Sequence, residues 1–263
     1  MNIGLVIVGD EILSGKRADK HLHKVIELLS ARGLSLSWAR YVGDDRPRIT
    51  ADLQHAFSSG DLVFSCGGIG ATPDDHTRQC AAAALGVELA LHPDARELIL
   101  ERMRDVAAEQ GVAYEPDRAD NLHRLNMGVF PLGASLIPNP FNKIAGFSVC
   151  DVHFVPGFPV MAWPMIEWVL DQRYAHLHRT QRDVERSVIV FGAMEASLTP
   201  LMEDIEARFA GVKVFSLPSV DHPQWGRHIE LGVKGAGDSV AAYAALRQGL
   251  DQFGAKLGPE LVR

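Results

Sequence analysis

The stretch Cys66-Gly67-Gly68-Ile69-Gly70-Ala71-Thr72-Pro73-Asp74-Asp75-His76-Thr77 restricts the possible folds more than any other part of the chain. It follows the apolar run Leu62-Val63-Phe64-Ser65 and precedes the alanine-rich Cys80–Leu85. That order is a strand, a tight glycine turn and a helix. Glycines at such a turn let a ligand approach backbone N–H groups that a Cβ would cover.

The chain before this loop repeats the arrangement. Ile3–Val8 is continuously apolar, as a strand buried on both faces must be. Asp19 is placed to cap a helix through Leu22, Val25, Ile26 and Leu29, with Gly33 as its stop. Leu34–Val42 reads as the second strand, about Pro47 to Phe57 as a helix, and Asp61–Ser65 as the third strand. A β-α-β-α-β-loop-α order specifies a mostly parallel sheet with helices on both faces, a three-layer α/β fold.

Further along, Pro93 to about Gln110 is an amphipathic helix, and residues 112–133 are less regular, a short helix and loops. Ala134–Ile137, Ala145–Val149 and Val152–Val155 read as strands and Met161–Tyr174 as a helix carrying Trp163 and Trp168. Polar Ala175–Asp183 reads as a linker. A β-α-β-β-α run follows: Ser187–Phe191, about Leu198–Phe209, Val212–Leu217, Arg227–Val233 and about Ser239–Gln252. It specifies a small α+β domain, with a frayed tail from Gly258. The expected division is 1–175 for the α/β domain and 184–256 for the small one.

Composition narrows the function classes. With 26 Lys and Arg against 33 Asp and Glu, the formal charge is −7, which disfavours broad nucleic-acid or anionic-membrane binding. No apolar run approaches the ~20 residues that span a bilayer, and Met1–Val6 shows no leader pattern. Cys66, Cys80 and Cys150 are odd in number and lack metal-ligand spacing, so they read as buried thiols in a reducing, cytoplasmic compartment.

Three acidic pairs carry the chemical argument: Asp10-Glu11, Asp44-Asp45 and Asp74-Asp75. Each follows the carboxyl end of an expected parallel strand, and those ends share one edge of the sheet, where ligands bind. So much negative charge beside a phosphate needs a divalent cation, and oxygen-only ligands at loose spacing suit Mg²⁺. Each pair taken singly is as well explained as a helix cap. Thr72-Pro73-Asp74-Asp75 in particular is a good helix start, with Thr as cap and Pro at the first turn. All three beside one glycine loop favour a site. The loop is neither a Walker loop, lacking Lys-Ser or Lys-Thr, nor a dinucleotide fingerprint, which would follow the first strand. His21, His23 and His76 read as surface or capping histidines, and Ser14 belongs to no nucleophile elbow.

Together, Gly9-Asp10-Glu11-Ile12-Leu13-Ser14-Gly15, Val42-Gly43-Asp44-Asp45 and Gly67 to Thr77 resemble the molybdopterin-binding (MoaB/Mog-like) domain family, and more closely the N-terminal part of its CinA branch. The resemblance continues through Asn139, Gly146-Phe147 and Pro156-Gly157-Phe158-Pro159 to Gly192-Ala193-Met194-Glu195-Ala196-Ser197-Leu198. It implies a homo-oligomer, a dimer before a trimer, with a pterin or nucleotide ligand. For the CinA branch it implies metal-dependent hydrolysis of ADP-ribose-like pyrophosphates. The nicotinamide-mononucleotide deamidase domain of that branch would need a further segment of chain. The functional carboxylates of the molybdopterin branch fall on Asp75 and on Asp44 or Asp45. The chain departs from the family pattern at Asp19-Lys20-His21, Ala71, Asn142 to Ala145 and Met161, so the wall facing the glycine loop differs.

The expected function is therefore Mg²⁺-dependent binding and hydrolysis of a nucleotide pyrophosphate. Gly67, Gly68, Gly70, Thr72, Ser14, Gly15 and Asn139 would contact the substrate; Asp44, Asp45 and Asp75 would be catalytic; Asp10, Glu11, Asp74 and Asp75 would hold metal. The alternatives are a molybdopterin binder or adenylylating protein, and a binding protein without turnover. A KH-like RNA module in the last 80 residues is the weakest reading. Gly232-Val233-Lys234-Gly235 is placed to end a strand, and residues 180–263 carry nine basic against eleven acidic side chains.

Overall fold

The computed structural model describes residues 1–179, 185–235 and 237–262, and the chain divides into two units, Met1–Thr180 and Gln181–Arg263. In the first unit, β1 (Ile3–Val8) leads into a short helix α1 (Asp10–Leu13), then α2 (His21–Ser30) and β2 (Trp38–Val42). Next come α3 (Arg46–Ser59), β3 (Leu62–Cys66), α4 (Thr77–Leu85), β4 (Leu89–Leu91), α5 (Pro93–Gln110) and α6 (Ala119–Arg124). β5 (Val129–Pro131), β6 (Ser135–Ile137), β7 (Gly146–Val149), β8 (Val152–Val155) and α7 (Pro159–Arg173) complete it.

The main sheet has the order β2-β1-β3-β8-β7-β6. β2, β1, β3 and β8 run parallel, while β7 and β6 continue the sheet antiparallel. Every residue of β1 and β3 is buried, because helices cover both faces. Leu5, Ile7 and Phe64 pack with α2 and α7 on one side; Val6, Val63 and Phe154 pack with α3 and α4 on the other. Phe147 stacks on Phe154 and Phe130 across the second face. The mostly parallel α/β architecture is the expected one.

Several local expectations need correction. β2 begins at Trp38, since Ser37 turns in to hydrogen-bond Ile3. The irregular region 112–133 contributes β5, paired antiparallel with β4. Thr72-Pro73-Asp74-Asp75 is not a helix start: α4 begins at Thr77, because Thr72 and Asp75 bond to each other in a closed turn. Cys66 and Cys80 are buried but Cys150 is exposed, at the φ +50° turn between β7 and β8. His21 is buried, its Nε2 3.0 Å from the Gly157 carbonyl.

The second unit comprises β9 (Arg186–Phe191), α8 (Glu195–Arg208), β10 (Val212–His222), β11 (Gly226–Gly235), α9 (Ser239–Phe253) and β12 (Lys256–Val262). The strands form an antiparallel sheet β10-β11-β9-β12, and both helices pack on it around Leu198, Ile205, Leu231 and Leu246. The tail expected to fray from Gly258 is strand β12, paired with β9. Its register shifts between Leu257 and Glu260, which lets Pro259 sit in an edge strand without a lost ladder bond. Gly232–Gly235 lies inside β11 and joins no helices. The expected linker Ala175–Asp183 starts as a single turn at Ala175–Leu177 and then runs outside the described residues. Among the described residues no helix is long and apolar enough to cross a membrane.

Candidate functional site

The site forms where four parallel strands end. Val8 lies opposite Val42, and Cys66 lies between Ile7 and Val155, so the loops after β1, β2, β3 and β8 leave the sheet side by side. Backbone bonds tie them together: Gly9 N donates to Val42 O and Gly67 N to Val155 O, both at 3.0 Å. The edge position expected for the acidic pairs follows from this parallel register.

The glycine loop is shaped by its own neighbours. At Gly67, with φ +104°, a Cβ would lie 2.3 Å from the Val8 carbonyl oxygen; at Gly68, with φ +68°, it would lie 2.2 Å from Thr77 Oγ1. Thr77 closes the turn, its N donating to Gly68 O at 3.0 Å and its Oγ1 to Gly67 O at 3.1 Å. Thr72 N donates to Asp75 Oδ2 at 2.8 Å, and the Thr72 hydroxyl donates to the same oxygen. Arg78, buried beneath the loop, donates from Nη2 to Gly70 O at 2.5 Å.

Two hollows open on this edge. A pocket of about 170 Å³ is lined by Glu11, Arg17, Asp44, Gly67, Gly68, Asp74 and Asp75. Beside it, sharing Phe158, a cleft of about 420 Å³ adds Ile69, Gly70, Thr72, Met127, Asn139, Asn142 and Met161. Burial, opposed by a hydrogen bond from the Asp10 backbone, and then the charges of Asp10, Asp74 and Glu11 hold the Asp44 carboxyl above the ordinary carboxylate range. A carboxylate in such a field is a better proton acceptor than an isolated one.

The two readings of the second acidic pair separate here. Asp45 caps α3, its Oδ1 accepting from Arg48 N at 3.0 Å, whereas Asp44 faces the acidic pocket. Asp10 and Asp44 each donate a backbone N–H to the other's carboxylate, and Glu11 lines both hollows. Ser14 and Gly15 close the turn after α1, with Ser14 N donating to Asp10 O at 2.8 Å and Gly15 N to Ile12 O at 3.1 Å, and neither lines the two hollows. Asn139 borders the cleft, but its amide is occupied by Asn142, Ile144 and Phe141, so it holds the turn that forms the far wall. Among the described residues no three His, Cys, Asp or Glu side chains converge to hold a metal ion by themselves.

Residues 4–176 match the family described as "Probable molybdopterin binding domain". The chain belongs to this family. Similar curated proteins are the CinA-like protein of Syntrophotalea carbinolica, 29% identical over 80% of this chain and 51% of that protein. Another is the CinA-like protein of Anaeromyxobacter sp. strain Fw109-5, 31% identical over 78% and 49%. The chain spans about half the length of these relatives. Among solved structures, CinA of Thermoplasma acidophilum, a protein described as of unknown function, is 26% identical with a TM-score of 0.54, covering 65% of this chain and 98% of that one.

Within the family fold, the structure brings in residues outside the expected site set. Arg17 lines both hollows, and its backbone N bonds Glu11 O at 3.0 Å, placing a cation among the acids. Arg78 and His123 hold the loop carbonyls of Gly70 and Ala71. For Arg78 there was a signal: helical spacing places it on the buried stripe with Ala81 and Ala82. Nothing in the sequence links His123 to a loop some fifty residues earlier.

Proposed function

We propose that the chain binds a small anionic molecule with a planar ring, a nucleotide pyrophosphate of the ADP-ribose type, and hydrolyses it at the acidic pocket. The observation carrying this reading is the adjacency of the acidic pocket to a larger cleft with apolar Ile69, Met127, Phe158 and Met161, both bordered by the Gly67–Asp75 loop. The cleft is sized for a ring system, and the pocket for the phosphates next to it.

The donor chemistry fits a divalent cation of the Mg²⁺ type, which takes one or two carboxylates and completes its shell with water and ligand phosphate. Glu11 and Asp74 would hold it, and it would neutralise phosphate charge beside these acids. Asp44 would take the proton of the attacking water as its oxygen bonds to phosphorus. The bridging P–O bond breaks, and the leaving phosphate carries the electron pair and accepts a proton, giving two phosphate monoesters. Arg17 would stabilise charge on the leaving side, and Asp75 would keep Thr72 and the loop in place.

A pterin is the second reading, favoured by the description of the family to which the chain belongs. Incubation with ADP-ribose and Mg²⁺, Mn²⁺ or Co²⁺ tests the first. AMP release that Asp44→Asn abolishes supports it; no AMP from the wild type sinks hydrolysis. Calorimetry with ADP-ribose and with a pterin then identifies the ligand.

A further inference from the structure

The glycine loop has a second face, and a different charge lies behind it. Ala71, Thr72, Pro73 and Asp75 also wall a separate cavity of about 480 Å³. Arg46 reaches it from the first position of α3, His76 and Arg78 from the start of α4, and His123 from α6. Asp75 is the acid among its described lining residues, and its Oδ2 is already engaged by Thr72. The opposite face of the same loop carries Glu11, Asp44, Asp74 and Asp75 with Arg17. This short loop thus separates an acidic pocket from a basic one.

Arg78 supplies the sharper observation. It is 4% exposed; Nη2 is taken by Gly70 O, while Nε, itself buried, has no hydrogen-bond partner. A buried guanidinium N–H left open costs stability, and because the Arg78 side chain lines the cavity, an anion there would meet its charge. Arginine keeps its charge under this burial, so the cavity stays cationic at any working pH. Arg46 is exposed at the mouth and adds a second guanidinium. His123 fixes the wall through Ala71 O at 2.8 Å.

We propose that this cavity is an anion subsite that takes a phosphate group, as free phosphate or as the phosphate of a mononucleotide, independently of any hydrolysis at the acidic pocket. Arg46 draws the oxyanion in, and Arg78 receives it from below.

The test is calorimetric titration of the full chain with inorganic phosphate at low salt, repeated with AMP. The proteins are the wild type, Arg46→Ala, Arg46→Glu and Arg17→Ala, with circular-dichroism melts to confirm folding. Expected is phosphate binding that Arg46→Ala weakens about tenfold, Arg46→Glu weakens further, and Arg17→Ala leaves in place. AMP binding more tightly than phosphate, with the same dependence on Arg46, identifies the nucleotide as the source; equal affinity identifies the free oxyanion. No binding of either probe to the wild type overturns the subsite. So does binding that is lost in Arg17→Ala and indifferent to Arg46, which puts the anion on the other face of the loop.

Discussion

Asp10 and Asp44 hold each other through their backbones: Asp10 N donates to Asp44 Oδ2 at 2.9 Å, and Asp44 N donates to Asp10 Oδ1 at 3.2 Å. Two like charges are fixed side by side, joining the loops after β1 and β2. Gly43 is needed for this, because a Cβ there would lie 2.3 Å from Asp10 Oδ1.

The first prediction concerns pH. The Asp44 carboxyl lies above its ordinary range in the folded chain, so the native state binds more protons than the unfolded one in that window. Stability contributed by protonated Asp44 is therefore present at low pH and is lost as pH rises through its titration. Melts of wild type and Asp44→Asn from pH 3 to 7 should diverge as pH rises, with the variant melting higher. AMP release, by contrast, should rise through the same window and fall roughly a hundredfold or more in Asp44→Asn. A variant that loses stability at pH 7 contradicts the charge argument.

Gly67→Ala tests the loop backbone. The positive φ alone costs about 1–3 kcal/mol for a non-glycine residue, and the overlap with Val8 O adds to it. Thermal melts should show a clear drop, several degrees for a chain of this size. Gly15→Ala is the comparison, since its φ is +73° but no atom lies within 4 Å of the added Cβ. Equal losses in the two variants would mean that the contact with Val8 has no weight.

Acid stability should be governed by His153. It is fully buried between Ser148 Oγ at 2.7 Å and Tyr174 OH at 2.8 Å, and burial pushes its pKa down to about 3. The unfolded chain protonates this histidine near pH 6.5, so stability is lost as pH falls from about 6.5 toward 3. The loss is on the order of a few kcal/mol. Denaturant titrations at pH 7, 5 and 4 should show that slope in the wild type and a flatter one in His153→Gln.

Asn139→Ala separates wall-building from ligand contact. It removes two donations, to Asn142 Oδ1 and Ile144 O, and the bond from Phe141 N, at a cost of about 1–3 kcal/mol. Ligand affinity in the cleft should fall because the far wall loosens, and protection of residues 139–144 from hydrogen exchange should fall with it. Weaker binding with unchanged protection would instead make Asn139 a ligand contact.

Much of the fold was legible because burial leaves a pattern. The unbroken apolar runs of β1 and β3 specify strands covered on both faces, and the acids after them follow from strand direction. What escaped depends on backbone detail. Asp44 and Asp45 are equivalent as letters before Arg46-Pro47; only the extended backbone of Asp45 turns its carboxylate onto α3. β12 was hidden by Pro259, whose register shift is a property of pairing with β9. His21 reads as polar yet lies buried, because its partner is the Gly157 carbonyl, far along the chain.

Placement of the acidic edge on β1 and β3 also has a kinetic meaning. These are interior strands of the sheet, buried along their whole length, and such segments exchange their amides only through the largest openings of a protein. The loops that carry Asp10, Glu11 and Gly67 are rooted in them. Fraying at the β6 edge or in the two-stranded pair of β4 and β5 leaves that footing undisturbed. The roots of Asp10, Glu11 and Gly67 therefore persist through such edge openings, whereas Asp44 follows β2, the opposite edge strand, and its spacing to the other acids lasts only while that strand stays paired with β1.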